Sequence, residues 1–176
     1  ASMIAKNIIK ARSIKKIIKV DQLVEIIEKS KKPNYKKKIN PSTKTFQALR
    51  IFVNKEITEL INGIINATKV LKPGGKILIV SFHSIEDKIV KFYFKNYSTN
   101  KSNQNKYLPN LEDRNLYLFE TYKNKIITAT NNELRQNPRA RSAKLRFAVR
   151  NNEIFKNSNE LFEKFKSYIE LEMTNV

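Results

Sequence analysis

Read from the amino end, apolar residues first recur every three or four positions, and only later cluster into an unbroken run. Ile4, Ile8, Ile9, Ala11 and Ile14 have helical spacing with Lys and Arg between them. A break near Lys15–Val20 separates this helix from a second, which Asp21 is expected to cap and which buries Leu23, Val24, Ile26 and Ile27. Ser30–Ile39 holds Pro33 and five lysines and reads as a solvated loop, either a flexible linker or an RNA-contacting arm. Pro41 and Ser42 then open one long helix carrying Phe46, Leu49, Val53, Ile57, Leu60 and Ile64. Lys72-Pro73-Gly74-Gly75 ends it.

Lys76–Phe82, with the run Ile77–Val80, has the pattern of a strand buried on both faces, as in a parallel sheet. Ser84 is expected to cap the following helix, with Asp87 completing a near capping box and Ile85, Ile89, Phe92 and Tyr93 facing inward. Residues 98–113 are unpatterned and read as a mobile loop. Leu116–Tyr122 and Lys144–Val149 read as strands, and 158–173 as a helix with Leu161, Phe162, Phe165, Tyr168 and Ile169 on one side. The expected fold class is α/β, with 42–97 belonging to the second half of a doubly wound sheet. A half sheet exposes an unpaired edge and an uncovered apolar face, so marginal stability or self-association is expected.

The composition narrows the function. The formal net charge of +19, from 35 basic and 16 acidic residues, favours polyanions: nucleic acid first, acidic membrane second. Abundant Lys, Asn and Ile also mark an AT-rich genome, but that bias does not remove acids. No apolar run approaches the roughly 20 residues of a membrane helix. The first twenty residues are basic and amphipathic, unlike a secretory signal. With no cysteine, disulfides and thiolate metal sites are excluded, and the single histidine argues against a histidine-based one.

Two groups of residues carry candidate chemistry. His83 follows the apolar strand at its carboxyl end, where open α/β sheets place their sites, with Ser81, Ser84, Glu86 and Asp87 close by in sequence. These side chains either act on a substrate or close the start of a helix. The second group is Asn137–Arg146, where Arg139, Arg141, Lys144 and Arg146 put four cations in eight positions of a chain with only eight arginines. Guanidinium groups there pair with phosphate, line the outside of a strand, or meet a carboxylate within the fold. Lys88 adds a cation beside the first group, and Tyr93 and Tyr97 are either base-stacking or core residues. The only glycines are Gly63, Gly74 and Gly75, and none forms a Gly-rich loop after a strand.

Three ordered blocks then resemble one family. Thr45-Phe46-Gln47-Ala48-Leu49-Arg50-Ile51 with Val53-Asn54 and Glu56, Ser81 through Lys91, and Asn137 through Arg146 are similar to segments of the ribosomal RNA small subunit methyltransferase H family. Lys123–Thr130 with Glu133 resembles the segment before its last block. The resemblance spans roughly residues 1–150. It implies the carboxyl-terminal half of a class I, Rossmann-like S-adenosylmethionine-dependent sheet, preceded by part of a helical insertion domain. Residues 1–40 would be the tail of that insertion, 41–150 the half sheet and 151–176 a helical extension.

The implied activity is methylation of the exocyclic amine of a cytidine in the decoding region of small-subunit (16S) rRNA. S-adenosylmethionine would be bound by residues upstream of this chain. The isolated chain would then be inactive, or a truncated, non-catalytic RNA-binding module. His83, Ser81 and Ser84 are the expected catalytic group, and Arg139, Arg141, Lys144, Arg146 and Lys88 the expected RNA contacts. The expected partners are 16S rRNA or the small ribosomal subunit, and a second copy of the chain, but no membrane. The expected location is the cytoplasm.

Overall fold

A computed structural model describes residues 2–30, 40, 42–98, 117–120, 125–155 and 159–174. The expected loops at 31–39 and 99–113 lie outside the described residues. The chain divides into two compact units, residues 1–56 and 57–176.

The first unit contains α1 (Ser2–Ile14), α2 (Val20–Lys29) and α3 (Thr43–Asn54). α2 begins two residues earlier than expected. Lys19 is its N-cap, and the Gln22 side chain closes the turn by accepting from the amides of Ile18 (2.9 Å) and Lys19 (3.0 Å). Asp21 lies inside the first turn, where its charge favours the helix dipole. Asn7 donates to the Ser30 hydroxyl (2.8 Å), tying α1 to the end of α2, and Ile27 is fully buried.

The single long helix expected from Ser42 onward is instead two. Lys55 adopts a left-handed conformation (φ 51°) that ends α3, and α4 (Glu56–Val70) starts at the next residue. The apolar spacing persists across the break, which is why periodicity does not reveal it.

The second unit is built on α4, β1 (Lys76–Ser81), α5 (Ser84–Asn96), β2 (Ile127–Thr128), α6 (Asn131–Gln136), a 3-10 turn at Pro138–Ser142, β3 (Lys144–Val149) and α7 (Glu160–Met173). The turn between α4 and β1 needs its glycines. Gly74 has φ 76°, and a Cβ on Gly75 would lie 2.8 Å from the Lys72 carbonyl oxygen. The strand order is β1-β3-β2 with antiparallel pairing throughout, and Ser81 of β1 lies opposite Lys144 of β3.

The parallel, doubly covered strand expected at Lys76–Phe82 is therefore corrected. β1 is an edge strand whose burial alternates, with Ile77 and Ser81 buried and Leu78 (59% exposed) and Val80 (52%) open. Of the expected strand Leu116–Tyr122, only residues 117–120 are described. Within its described part, only Phe119 pairs, through single bridges to Ser98 and Arg150.

α5 packs on β1 and β3, and α7 packs on α5. The core gathers Ile89, Val90, Tyr93 and Phe94 from α5 with Leu118, Phe119, Ala148, Leu161 and Phe165. Phe92 meets Phe165 edge-on at 5.7 Å, and Phe94 meets Phe119 at 5.4 Å. The expected inner face of α5 thus extends to Val90 and Phe94.

Candidate functional site at the carboxyl end of β1

β1 passes into α5 through Phe82 and His83, and the turn is closed by a reciprocal pair of side chains. His83, in an extended conformation, is the N-cap, and its Nδ1 accepts from the Glu86 amide (3.3 Å). The Glu86 carboxylate reaches back to accept from the amides of Phe82 (2.7 Å) and His83 (3.1 Å). The cap therefore falls one residue before the expected Ser84, and Glu86, not Asp87, completes the capping box. Because Nδ1 accepts an amide hydrogen, the neutral imidazole carries its proton on Nε2. Nε2 lies 3.3 Å from Glu86 Oε1 but makes no hydrogen bond of acceptable geometry, and the side chain is only 7% exposed.

The three residues expected to act together serve different ends. Ser81 is buried (2% exposed), and its hydroxyl lies 3.4 Å from the Lys144 carbonyl across the β1–β3 pair. His83 is committed to the cap. Ser84 alone is exposed, on the first turn of α5.

The basic block divides in the same way. Arg146 is 2% exposed, and its Nε (2.7 Å) and Nη2 (3.2 Å) both donate to Asp87. The nearby Lys144 Nζ is 3.2 Å from the same carboxylate. Burial pulls the Asp87 pKa upward, but the hydrogen bonds and charges of Arg146 and Lys144 outweigh it and hold the carboxyl below its ordinary value. Of the readings open for this block, pairing with an internal carboxylate describes Arg146.

Arg139 and Arg141 are exposed on the 3-10 turn, which buried Ala140 anchors from between them. Asn137 fixes the start of the turn by accepting from the Arg139 amide (3.2 Å). Lys88 is exposed on α5. Among the described residues, Arg139, Arg141 and Lys88 form no ion pair. The turn runs straight into Lys144, the partner of Ser81, so the arginines and the β1 exit share one end of the sheet.

Two residues with large structural roles, Arg150 and Glu172, carry no local sequence signal, whereas Tyr93 was expected on the inner face of α5. Arg150, 5% exposed, donates to the carbonyls of Leu118 (2.9 Å) and Glu153 (2.5 Å) and fastens two irregular segments. Glu172 of α7 accepts from the amides of Ile57 and Thr58 (2.9 Å each) and from the Thr58 hydroxyl (2.6 Å), capping α4 from more than a hundred residues away. Tyr93 is buried among aromatic rings, and burial pushes its phenol up to about 12.

The residues present do not fit an adenosylmethionine cradle. Gly63 lies within α4, Gly74 and Gly75 precede β1, and no described strand leads into a glycine loop.

The comparisons with known proteins agree with the motif blocks. Residues 1–151 match the model of the MraW methylase family. Ribosomal RNA small subunit methyltransferase H of Rickettsia typhi is 45% identical over 148 residues, covering 82% of this chain and 47% of the relative. The proteins of the same name from Bartonella bacilliformis and Sinorhizobium fredii are 44% and 43% identical, covering 85% of this chain and 45% and 43% of themselves. The chain thus spans slightly less than half the length of the curated relatives it matches. With three motif blocks in order and a family match over all but the last helix, the chain belongs to the MraW methylase family.

Proposed function

We propose that this chain is the RNA-receiving portion of a cytoplasmic enzyme that methylates the exocyclic amine of a cytidine in the decoding region of 16S rRNA. S-adenosylmethionine, held by the part of the family sheet without counterpart here, would supply the methyl group. In this reading residues 1–40 are the tail of a helical insertion and 41–150 the latter half of a Rossmann-like sheet. The observation that carries the proposal is the shared sheet end, where the β1 exit and the arginine turn meet through the Ser81–Lys144 pair. That end offers exposed guanidinium groups for phosphate beside an exposed hydroxyl for a base.

Within the site, Ser84 is the group proposed to touch the cytidine, accepting a hydrogen bond from the amine whose lone pair the ring withdraws. Ser81 and His83 hold the strand exit in place as positioning residues. Arg139 and Arg141 contact the RNA backbone, with Lys88 beside them, while Lys144 and Arg146 are held by Asp87. The target base must leave its stack to be reached.

The test is fluorescence anisotropy with a decoding-region rRNA hairpin. Arg139→Ala and Arg141→Ala should each weaken binding several-fold, and Lys88→Ala less. Unchanged affinity in both arginine variants would remove the proposed RNA face. Ser84→Ala at the matching position of the Rickettsia typhi relative should slow methyl transfer while leaving RNA affinity intact. A non-catalytic RNA-binding module is the second reading, favoured by the formal net charge of +19. It predicts RNA binding by this chain, and no methyl transfer even when the unmatched part of a relative is supplied.

A further inference from the structure

The apolar spacing from Phe46 to Ile64 is that of one helix, yet α3 ends at Lys55 and α4 begins at Glu56. Residues 43–62 hold no proline or glycine to force the break. Lys55 is the only non-glycine residue with a positive φ (51°) among the described residues. Lysine is a good helix former and gains nothing from a left-handed conformation. The break is therefore held by contacts outside the local backbone.

Two clasps hold it. The Glu172 carboxylate takes the amides of Ile57 and Thr58, which in a continuous helix bond to the carbonyls of Val53 and Asn54. Arg50 donates to Glu56 through Nε (2.6 Å) and Nη2 (3.0 Å). On a continuous helix these two side chains, six residues apart, lie about 120° apart around the axis and on different faces. The first clasp has little apolar support. Leu171 (62% exposed) and Met173 (53%) flank Glu172, which alone is buried among residues 170–174. The other half of α7 is anchored separately by buried Leu161 and by Phe165 against Phe92 of α5. A non-helical residue at Phe165 (φ −113°, ψ 15°) separates that half from the end that carries Glu172.

We propose that the carboxyl-terminal end of α7 is a latch that selects between two forms of residues 43–70. With Glu172 engaged, the segment is broken at Lys55. With Glu172 released, Lys55 turns right-handed, the Ile57 and Thr58 amides pass to Val53 and Asn54, and the segment runs as one helix. The break falls at the boundary of the two compact units, and α3 carries the first motif block, so the latch governs the joint between them. α7 lies outside the family match, so the latch acts on the matched region from an element beyond it.

Nuclear magnetic resonance on the isotopically labelled full chain tests this. The short contact from Asn54 Hα to the Ile57 amide, a mark of unbroken helix, should be absent in the parent. It should appear in Glu172→Ala, with φ of Lys55 turning negative. Glu172→Gln keeps one acceptor, so the broken form stays in the majority. Relaxation dispersion at residues 53–58 of that variant should show the continuous form at a population about tenfold above the parent's. Lys55→Gly favours the left-handed residue, so it should abolish this exchange and return Glu172→Ala to the broken form. The Gln and Gly measurements decide the matter even where Glu172→Ala fails to fold. A frayed first turn of α4 in Glu172→Ala with Lys55 still left-handed would overturn the latch. So would Glu172→Gln without dispersion, or dispersion that Lys55→Gly leaves unchanged.

Discussion

Asp87 lies between two opposed pulls, and its ionised form wins because Arg146 and Lys144 both reach it. A carboxyl whose folded pKa is depressed contributes stability above its unfolded value, and that contribution is lost as pH falls through the folded one. Urea titrations at successive pH values should therefore show stability declining as the solution is acidified below about pH 4. A flat profile there would mean the carboxylate is not an ionised anchor. Asp87→Ala leaves the Arg146 guanidinium buried without its partner and should cost about 3–5 kcal/mol, whereas Asp87→Leu with Arg146→Met should restore most of the loss. His83 separates capping from chemistry. His83→Ala should cost about 1 kcal/mol through the lost cap, and His83→Asn, which can still accept from the Glu86 amide, should recover it. Equal melting of the two variants would show that the imidazole contributes something other than a cap acceptor.

Elements were legible in the sequence where one periodicity ran without interruption. β3 occupies Lys144–Val149 as expected, α7 fills the expected carboxyl-terminal helix, and the apolar run ending at Phe82 is a strand. What escaped is whatever depends on a partner distant in sequence. The Ile77–Val80 run reads the same whether one face or both are covered, so an uncovered apolar face was expected of the half sheet but could not be assigned to Leu78 and Val80. The Lys55 break was hidden because a left-handed lysine has no compositional mark. The site was half legible. Sequence position selected the β1 exit and the arginine block, but only the fold separates exposed Arg139 and Arg141 from buried Arg146.

The carboxyl-terminal extension gives the same lesson in energetic form. Outside the family match, α7 still buries Leu161 and Phe165 and sends Glu172 to the start of α4. Glu172→Gln retains one acceptor oxygen but loses the charge and the second acceptor, so about 1–3 kcal/mol of stability should go. Hydrogen exchange at the Ile57 and Thr58 amides should accelerate ahead of the β3 amides. Uniform acceleration across the unit would mean that Glu172 supports the whole fold and has no local hold on the start of α4.

At the scale of the whole molecule, net charge and placed charge make different contributions to RNA binding. A surplus of +19 attracts any polyanion through the released counterions, irrespective of sequence. Arg139 and Arg141, on a turn that Ala140 and Asn137 anchor, would under the proposed function contribute at defined phosphates. The logarithm of affinity for the decoding-region hairpin should therefore fall linearly with the logarithm of salt concentration. Each arginine removed should reduce the slope by about 0.7 for single-stranded contacts or 0.9 for duplex ones. A scrambled RNA of the same length should show nearly the parent slope but lose less affinity on arginine removal, because bulk charge finds other phosphates. If Lys6→Ala and Lys10→Ala on exposed α1 positions shift slope and affinity for both RNAs as much as the arginine pair does, binding belongs to the overall charge. The sheet end at Ser81 and Lys144 would then have no special claim on the RNA.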